Sequence, residues 1–159
     1  MDNTVLNPQT IEFWTHIITT ILCGGIIGLE RQLRGKPAGV RTSILICLGT
    51  YIFISLAASL SENTQDTARV LGQIVTGIGF VGAGVIMAKE DLVKGVTSAA
   101  IIWVLAGIGA AIGLDYLLTA IALTFVAVSV LLGVEFLESS FLKLRRGVHT
   151  KFNKDHETR

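Results

Sequence analysis

The chain has 159 residues, 51% of them hydrophobic and 16% charged, which is enough for one domain. Its net charge of +1 gives no ground for a nucleic-acid partner. Cys23 and Cys47 have no Cys or His nearby at ligand spacing, so no disulfide, metal centre or cofactor is expected.

The apolar residues are gathered into five uncharged runs, 13–29, 42–61, 70–88, 95–114 and 116–134. Each can cross a hydrocarbon core of roughly 30 Å as a helix rising ~1.5 Å per residue. None alternates polar and apolar residues as a membrane barrel strand does. The spacing therefore predicts an all-α polytopic protein, a five-transmembrane-helix bundle over 1–142, followed by a short basic tail, 143–159. No Lys or Arg precedes the first run, so it lacks the basic start of a signal peptide and reads as a span.

The first run carries His16, read as an interfacial hydrogen-bonded residue, and the small pair Gly24 and Gly28, suited to close helix packing. The loop after it, Glu30 to Thr42, is dense in chemistry. Glu30 and Arg34 stand at i,i+4, Pro37 and Gly39 break the helix, and Thr42 is placed to cap the next one. Arg31, Arg34 and Arg41 could anchor the loop at anionic lipids, or hold a phosphate, a lipid head group or a partner's carboxylate.

At the start of the third run Asp66 is placed to cap, with Arg69 three residues on, and Gln73 and Thr76 extend a polar line into the span. Gly72, Thr76, Gly79 and Ala83 recur in steps of four and three, while Gly77 and Gly84 lie on another side. Small residues on several faces predict a helix enclosed by neighbours. Gly77, Gly79 and Gly82 also spell the spacing of a dinucleotide-binding loop, but mid-span they read as packing glycines. The fourth run has a similar stripe through Gly95, Ala99, Ala106, Gly109 and Gly113, and a central Trp103 expected inside the bundle. Asp115 is placed to cap the fifth helix, whose Leu, Val, Ile and Phe suit a lipid-facing position.

Lys and Arg then orient the chain. Twelve of the 13 fall in the first loop, the third loop and the tail, and only Arg69 falls on the other side. The positive-inside rule puts the amino end outside and the carboxyl end in the cytoplasm.

Four separated motifs carry a resemblance: Glu30-Arg31-x-x-Arg34 with Pro37 to Thr42, Asp66-x-x-Arg69-Val70, Gln73 to Ile86, and Lys94-Gly95-x-Thr97 with Trp103. Together they resemble the MgtC/SapB family of bacterial membrane proteins over roughly residues 20 to 120. The resemblance implies a multi-pass bacterial inner-membrane protein of a family tied to growth at low magnesium and, in pathogens, to survival inside macrophages; the residues themselves hold no Ser/His/Asp or Cys/His constellation, so a non-enzymatic, homo-oligomeric membrane regulator is expected. One mode described for the family is inhibition of the F-type ATP synthase, which would make Lys94, Thr97 and Trp103 partner contacts. The virulence-associated members are longer and carry Asn where this chain has Thr97. An independent expectation from the residues is a small ion channel or carrier using the polar line of the third helix.

Overall fold

The computed structural model describes residues 6–60, 64–89 and 92–140; the tail 143–159 lies outside them. Five helices and one two-stranded ladder follow in order: α1 Ile11–Leu33, α2 Val40–Leu60, α3 Thr64–Ala83, β1 Met87–Lys89, β2 Leu92–Lys94, α4 Val96–Gly113 and α5 Leu117–Ser140. α1, α2, α4 and residues 117–134 of α5 are long and apolar enough to cross a membrane. α3 does not reach that standard, because Gln65, Asp66, Arg69 and Gln73 interrupt its apolar residues.

The helix ends differ from the charge-delimited runs where local hydrogen bonds decide. Thr10 accepts from Phe13 N–H at 3.4 Å and starts α1. At its far end Gly35 takes φ +61, Gly35 N–H donates to Gln32 C=O, and Lys36 N–H donates to Arg31 C=O. This paired closure satisfies the orphan carbonyls of the last turn. α2 then begins at Val40, two residues before Thr42, because the Gln32 side chain accepts from Val40 N–H at 3.3 Å. Thr42 is therefore an exposed first-turn residue and not the cap. Asp66 is likewise not a cap, since α3 starts at Thr64.

α3 stops at Ala83, five residues short of the uncharged run's end. Val85 and Ile86 N–H groups donate to Gly82 and Ala83 C=O, tightening the last turn, and Met87 then pairs with Lys94 in the antiparallel ladder. The ladder returns the chain to α4 through Gly95, at φ +94, where a side chain would fall on the Val85 carbonyl.

α4 is the central element and packs against each of the other four helices. Ile102, Leu105, Ile108 and Ile112 are buried along it. Its glycines allow the approach: a Cβ at Gly109 would meet the Cys47 carbonyl, and one at Gly113 would lie 2.8 Å from Ile54 Cβ, both on α2. α1 crosses α2 as closely, with Gly24 and Gly28 against the backbones of Ile44 and Val40. Buried Cys23, Ile27, Cys47 and Tyr51 fill the space between, and Cys47 Sγ donates to Leu105 C=O at 3.2 Å. α5 covers this core with Ala120, Thr124 and Ala127 and leaves its other faces exposed.

The expectation that α3 is enclosed does not hold within one chain. Gly82, against Ala99, is its one buried residue, and Gly72, Gly77 and Gly79 open onto free space. α3 leans on α2 and α4 through one apolar stripe only, whereas α4 is apolar around its whole circumference and takes the centre.

Candidate functional site

The densest polar cluster lies where α1 ends and α4 begins. Consecutive helix positions point in different directions, so Glu30 and Arg31 turn inward while Gln32 and Leu33 stay exposed. Arg34 Nε sits 2.6 Å from Glu30 Oε1, as the i,i+4 spacing allows. Arg31, only 3% exposed, reaches across to α4, where its Nη2 donates to Ser98 Oγ at 2.7 Å. Its Nη1 stands 4.0 Å from Glu30 Oε2. Glu30 Oε2 and Arg31 Nε are buried and have no hydrogen-bond partner among the described residues. Among the described residues the cluster brings Glu30, Arg31 and Arg34 together, partly withdrawn from solvent.

The sequence had grouped three arginines here, and the structure divides them. Arg31 and Arg34 belong to the cluster, whereas Arg41 is exposed on the first turn of α2 beside Thr42. Pro37 is exposed and Gly39 half-buried in the intervening turn, where Ser43 Oγ donates to Ala38 C=O. Ser98 was not anticipated; it lies one residue past Thr97 in the Lys94-Gly95-x-Thr97 motif.

A second feature is an apolar groove of about 560 Å³ between α3, α4 and α5. Thr97, Trp103 and Gly107 share its α4 wall, Leu71 and Ile78 form the α3 wall, and Val130 stands on α5. Trp103 is 55% exposed there, not enclosed in the bundle as expected, because the helix face it occupies is the one α3 and α5 leave uncovered. Lys94 is exposed at the end of the ladder, three residues before Thr97.

At the opposite end of the bundle, Asp66 Oδ1 and Arg69 Nη2 are 3.2 Å apart, exposed on the first turns of α3. Gln73 and Thr76 follow Arg69 toward the middle of α3 and are exposed, with Thr76 Oγ1 donating back to Gly72 C=O. None of the four lines the groove. His16 lies at this end too, buried, with Nδ1 2.7 Å from Glu12 C=O and Nε2 3.0 Å from Asp115 Oδ1. Asp115 therefore serves the bundle and not as the cap of α5; it occupies φ +67 in the α4–α5 corner, where Tyr116 N–H donates to Ala111 C=O. No group of three or more His, Cys, Asp or Glu stands close enough to hold a metal ion among the described residues.

Comparison with known proteins supplies the family. Residues 17–140 match the MgtC family. The chain belongs to the MgtC family. Among the proteins similar to this chain, an uncharacterized protein of Haemophilus influenzae is 40% identical over 76% of this chain and 54% of its own length. YhiD of Escherichia coli K12, whose name proposes a magnesium transporter, is 42% identical over 66% of this chain and 52% of its own. Protein MgtC of Salmonella typhimurium is 40% identical over 70% of this chain and 47% of its own. The chain thus spans about half the length of the curated relatives it matches. No solved structure matches it.

Proposed function

We propose that this MgtC-family protein is a non-enzymatic regulator of the bacterial inner membrane, acting in magnesium limitation or membrane energetics through lateral contact with another membrane protein. All five helices span in this reading, with the Glu30 to Thr42 loop in the cytoplasm and Asp66 to Arg69 outside. The observation that carries it is the groove, whose walls are apolar apart from Thr97 and hold Trp103 half exposed. Such a surface suits a hydrophobic segment and offers an ion no ligands. Lys94, Thr97 and Trp103 are the contacts it would present, and the F-type ATP synthase is the partner suggested by family resemblance. Arg34 and Arg41, with Arg31 behind them, are suited to anionic lipid or to a partner's carboxylate at the cytoplasmic face.

The magnesium-transporter name of YhiD favours a second reading, a carrier that uses Gln73 and Thr76. Both residues face out of the single chain, so a conducting path along them would have to run between chains. Liposome flux separates the readings. The regulator reading expects no magnesium or proton movement above empty-vesicle leakage; flux abolished by Gln73→Leu would overturn it.

A further inference from the structure

Both ring nitrogens of the buried His16 face oxygens that accept hydrogen bonds. Nδ1 lies 2.7 Å from Glu12 C=O and Nε2 lies 3.0 Å from Asp115 Oδ1. A carbonyl oxygen has no hydrogen to give, so Nδ1 carries one and donates it. A neutral imidazole then has a bare lone pair at Nε2, directed at a carboxylate oxygen, and the two repel. Turning the ring over puts carbons against both oxygens and loses both bonds. A second proton between Nε2 and Oδ1 removes the conflict. The Asp115 side chain is 57% exposed, so water solvates its carboxylate and the proton sits on the ring.

We propose that His16 and Asp115 form a reversible proton-binding site, an imidazolium–carboxylate pair that fastens α1 to the α4–α5 corner while the second proton is held. The site is built on both sides. The Tyr51 ring of α2 stacks on His16 with centroids 5.9 Å apart, and the bond to Glu12 C=O sets the ring's rotation. Asp115 is held at φ +67 in a corner closed by Tyr116 N–H donating to Ala111 C=O. α1 packs against α2, α4 and α5. The titratable groups around the ring are Glu12 one turn earlier, Tyr51, and Asp115 with Tyr116 beside it; α4 and residues 117–134 of α5 carry none. With the proton the pair is neutral overall, the form that burial tolerates; without it a negative charge faces a lone pair. The contact therefore stabilises the bundle at acid to neutral pH and is lost as pH rises. Histidine is the side chain that changes charge near neutral pH, and His16 is the one histidine among the described residues. In the orientation given under Proposed function this end faces outside, so the proton comes from external water through the exposed carboxylate. That side assignment rests on the orientation; the proton site does not.

The test follows the ring nitrogens of the full chain, labelled with nitrogen-15 histidine, by NMR in detergent between about pH 5.5 and pH 9. The His16 signals are those lost in His16→Gln. Both nitrogens are expected to carry hydrogen at neutral pH, and Nε2 to lose its own as the pH is raised. Asp115→Asn removes the charge while accepting the positive φ, and its Nε2 is expected to be bare at neutral pH. In thermal unfolding the wild type should melt several degrees above Asp115→Asn at the acid end of the range, and this advantage should shrink at the alkaline end. A bare Nε2 in the neutral wild type, both hydrogens kept throughout the range, or melting curves that stay parallel overturns the proposal. A membrane-impermeant maleimide applied to Tyr116→Cys in sealed spheroplasts tests the side separately. Reaction is expected; reaction only after permeabilisation overturns the outward placement and the orientation behind it, whereas the ring nitrogens alone decide the proton site.

Discussion

The α1–α2 crossing can be tested at single-atom resolution with Gly28→Ala. A Cβ at Gly28 would lie 2.6 Å from Val40 Cα and 2.9 Å from Ser43 Cβ. Val40 Cα is backbone and cannot move aside by rotamer change, so the helices must separate by roughly 1 Å to restore ordinary contact. Overpacking of this kind costs about 1–3 kcal/mol, and the backbone contact puts this case at the upper end. Replacing Gly by Ala in a helix returns about 1 kcal/mol, leaving a net loss of about 2 kcal/mol. For a chain of this size that lowers Tm by about 4–8 °C. Gly25→Ala is the control on the same helix, since its Cβ would find nothing nearer than the flexible tip of Ile44 at 3.8 Å, and it should raise Tm slightly. Thermal unfolding of both variants in one detergent, followed by circular dichroism, reads the difference. Equal Tm values would refute the claim that α1 and α2 meet backbone to backbone at Gly28.

Other positions give further expectations. Gly95→Ala combines a positive φ that costs about 1–2 kcal/mol with a collision at the Val85 carbonyl, so the variant should accumulate poorly and unfold well below the wild type in the same assay. Asp115→Ala removes the partner of His16 Nε2 and places Ala at φ +67; a Tm drop of several degrees is expected, and an unchanged Tm would show that the His16 contact contributes nothing. Arg41→Ala, at an exposed position, should leave stability within about 0.5 kcal/mol while impairing any function that depends on anionic lipid, measured as lost co-purification of anionic lipid with the protein.

Most of the fold was legible because charge is expensive in lipid and marks the edges of helices. α2, α4 and the start of α5 lie within about two residues of the runs between charges, and the glycine pairs on α1 and α4 sit where helices cross. What the runs could not show was a charge inside a helix with a local partner. Asp66 and Arg69 pair within α3, and Glu30, Arg31 and Arg34 lie within α1, so both helices extend past the predicted edges. The early end of α3 depends on a tightened turn and a strand ladder that an uncharged stretch conceals. The site was half legible. Spacing alone supplied Glu30 with Arg34, whereas Arg31 with Ser98 and His16 with Asp115 join residues 67 and 99 positions apart, and no local pattern announces such pairs. The exposure of α3 is the plainest departure, since small residues report that a backbone can be approached closely without saying by which chain.

The Arg31–Ser98 contact gives the two halves of the candidate site a physical connection, and that connection has a measurable size. Arg31 belongs to the loop-side cluster, and Ser98 is adjacent to Thr97, which lines the groove. An anion that draws the Arg31 and Arg34 guanidinium groups outward must compete with the Ser98 hydroxyl, and a segment entering the groove must accommodate the first turn of α4 that Arg31 holds. Ser98→Ala leaves another donor of the buried Arg31 without an acceptor and should cost about 1.5–3 kcal/mol; Arg31→Ala leaves Glu30 buried with Arg34 alone and should cost about 3–5 kcal/mol. The double variant should lose less than the sum, by about 0.5–3 kcal/mol, because the second change removes a group whose partner is already gone. If the two effects simply add, the loop cluster and the α4 wall are independent, and occupancy of one cannot be communicated to the other through this bond.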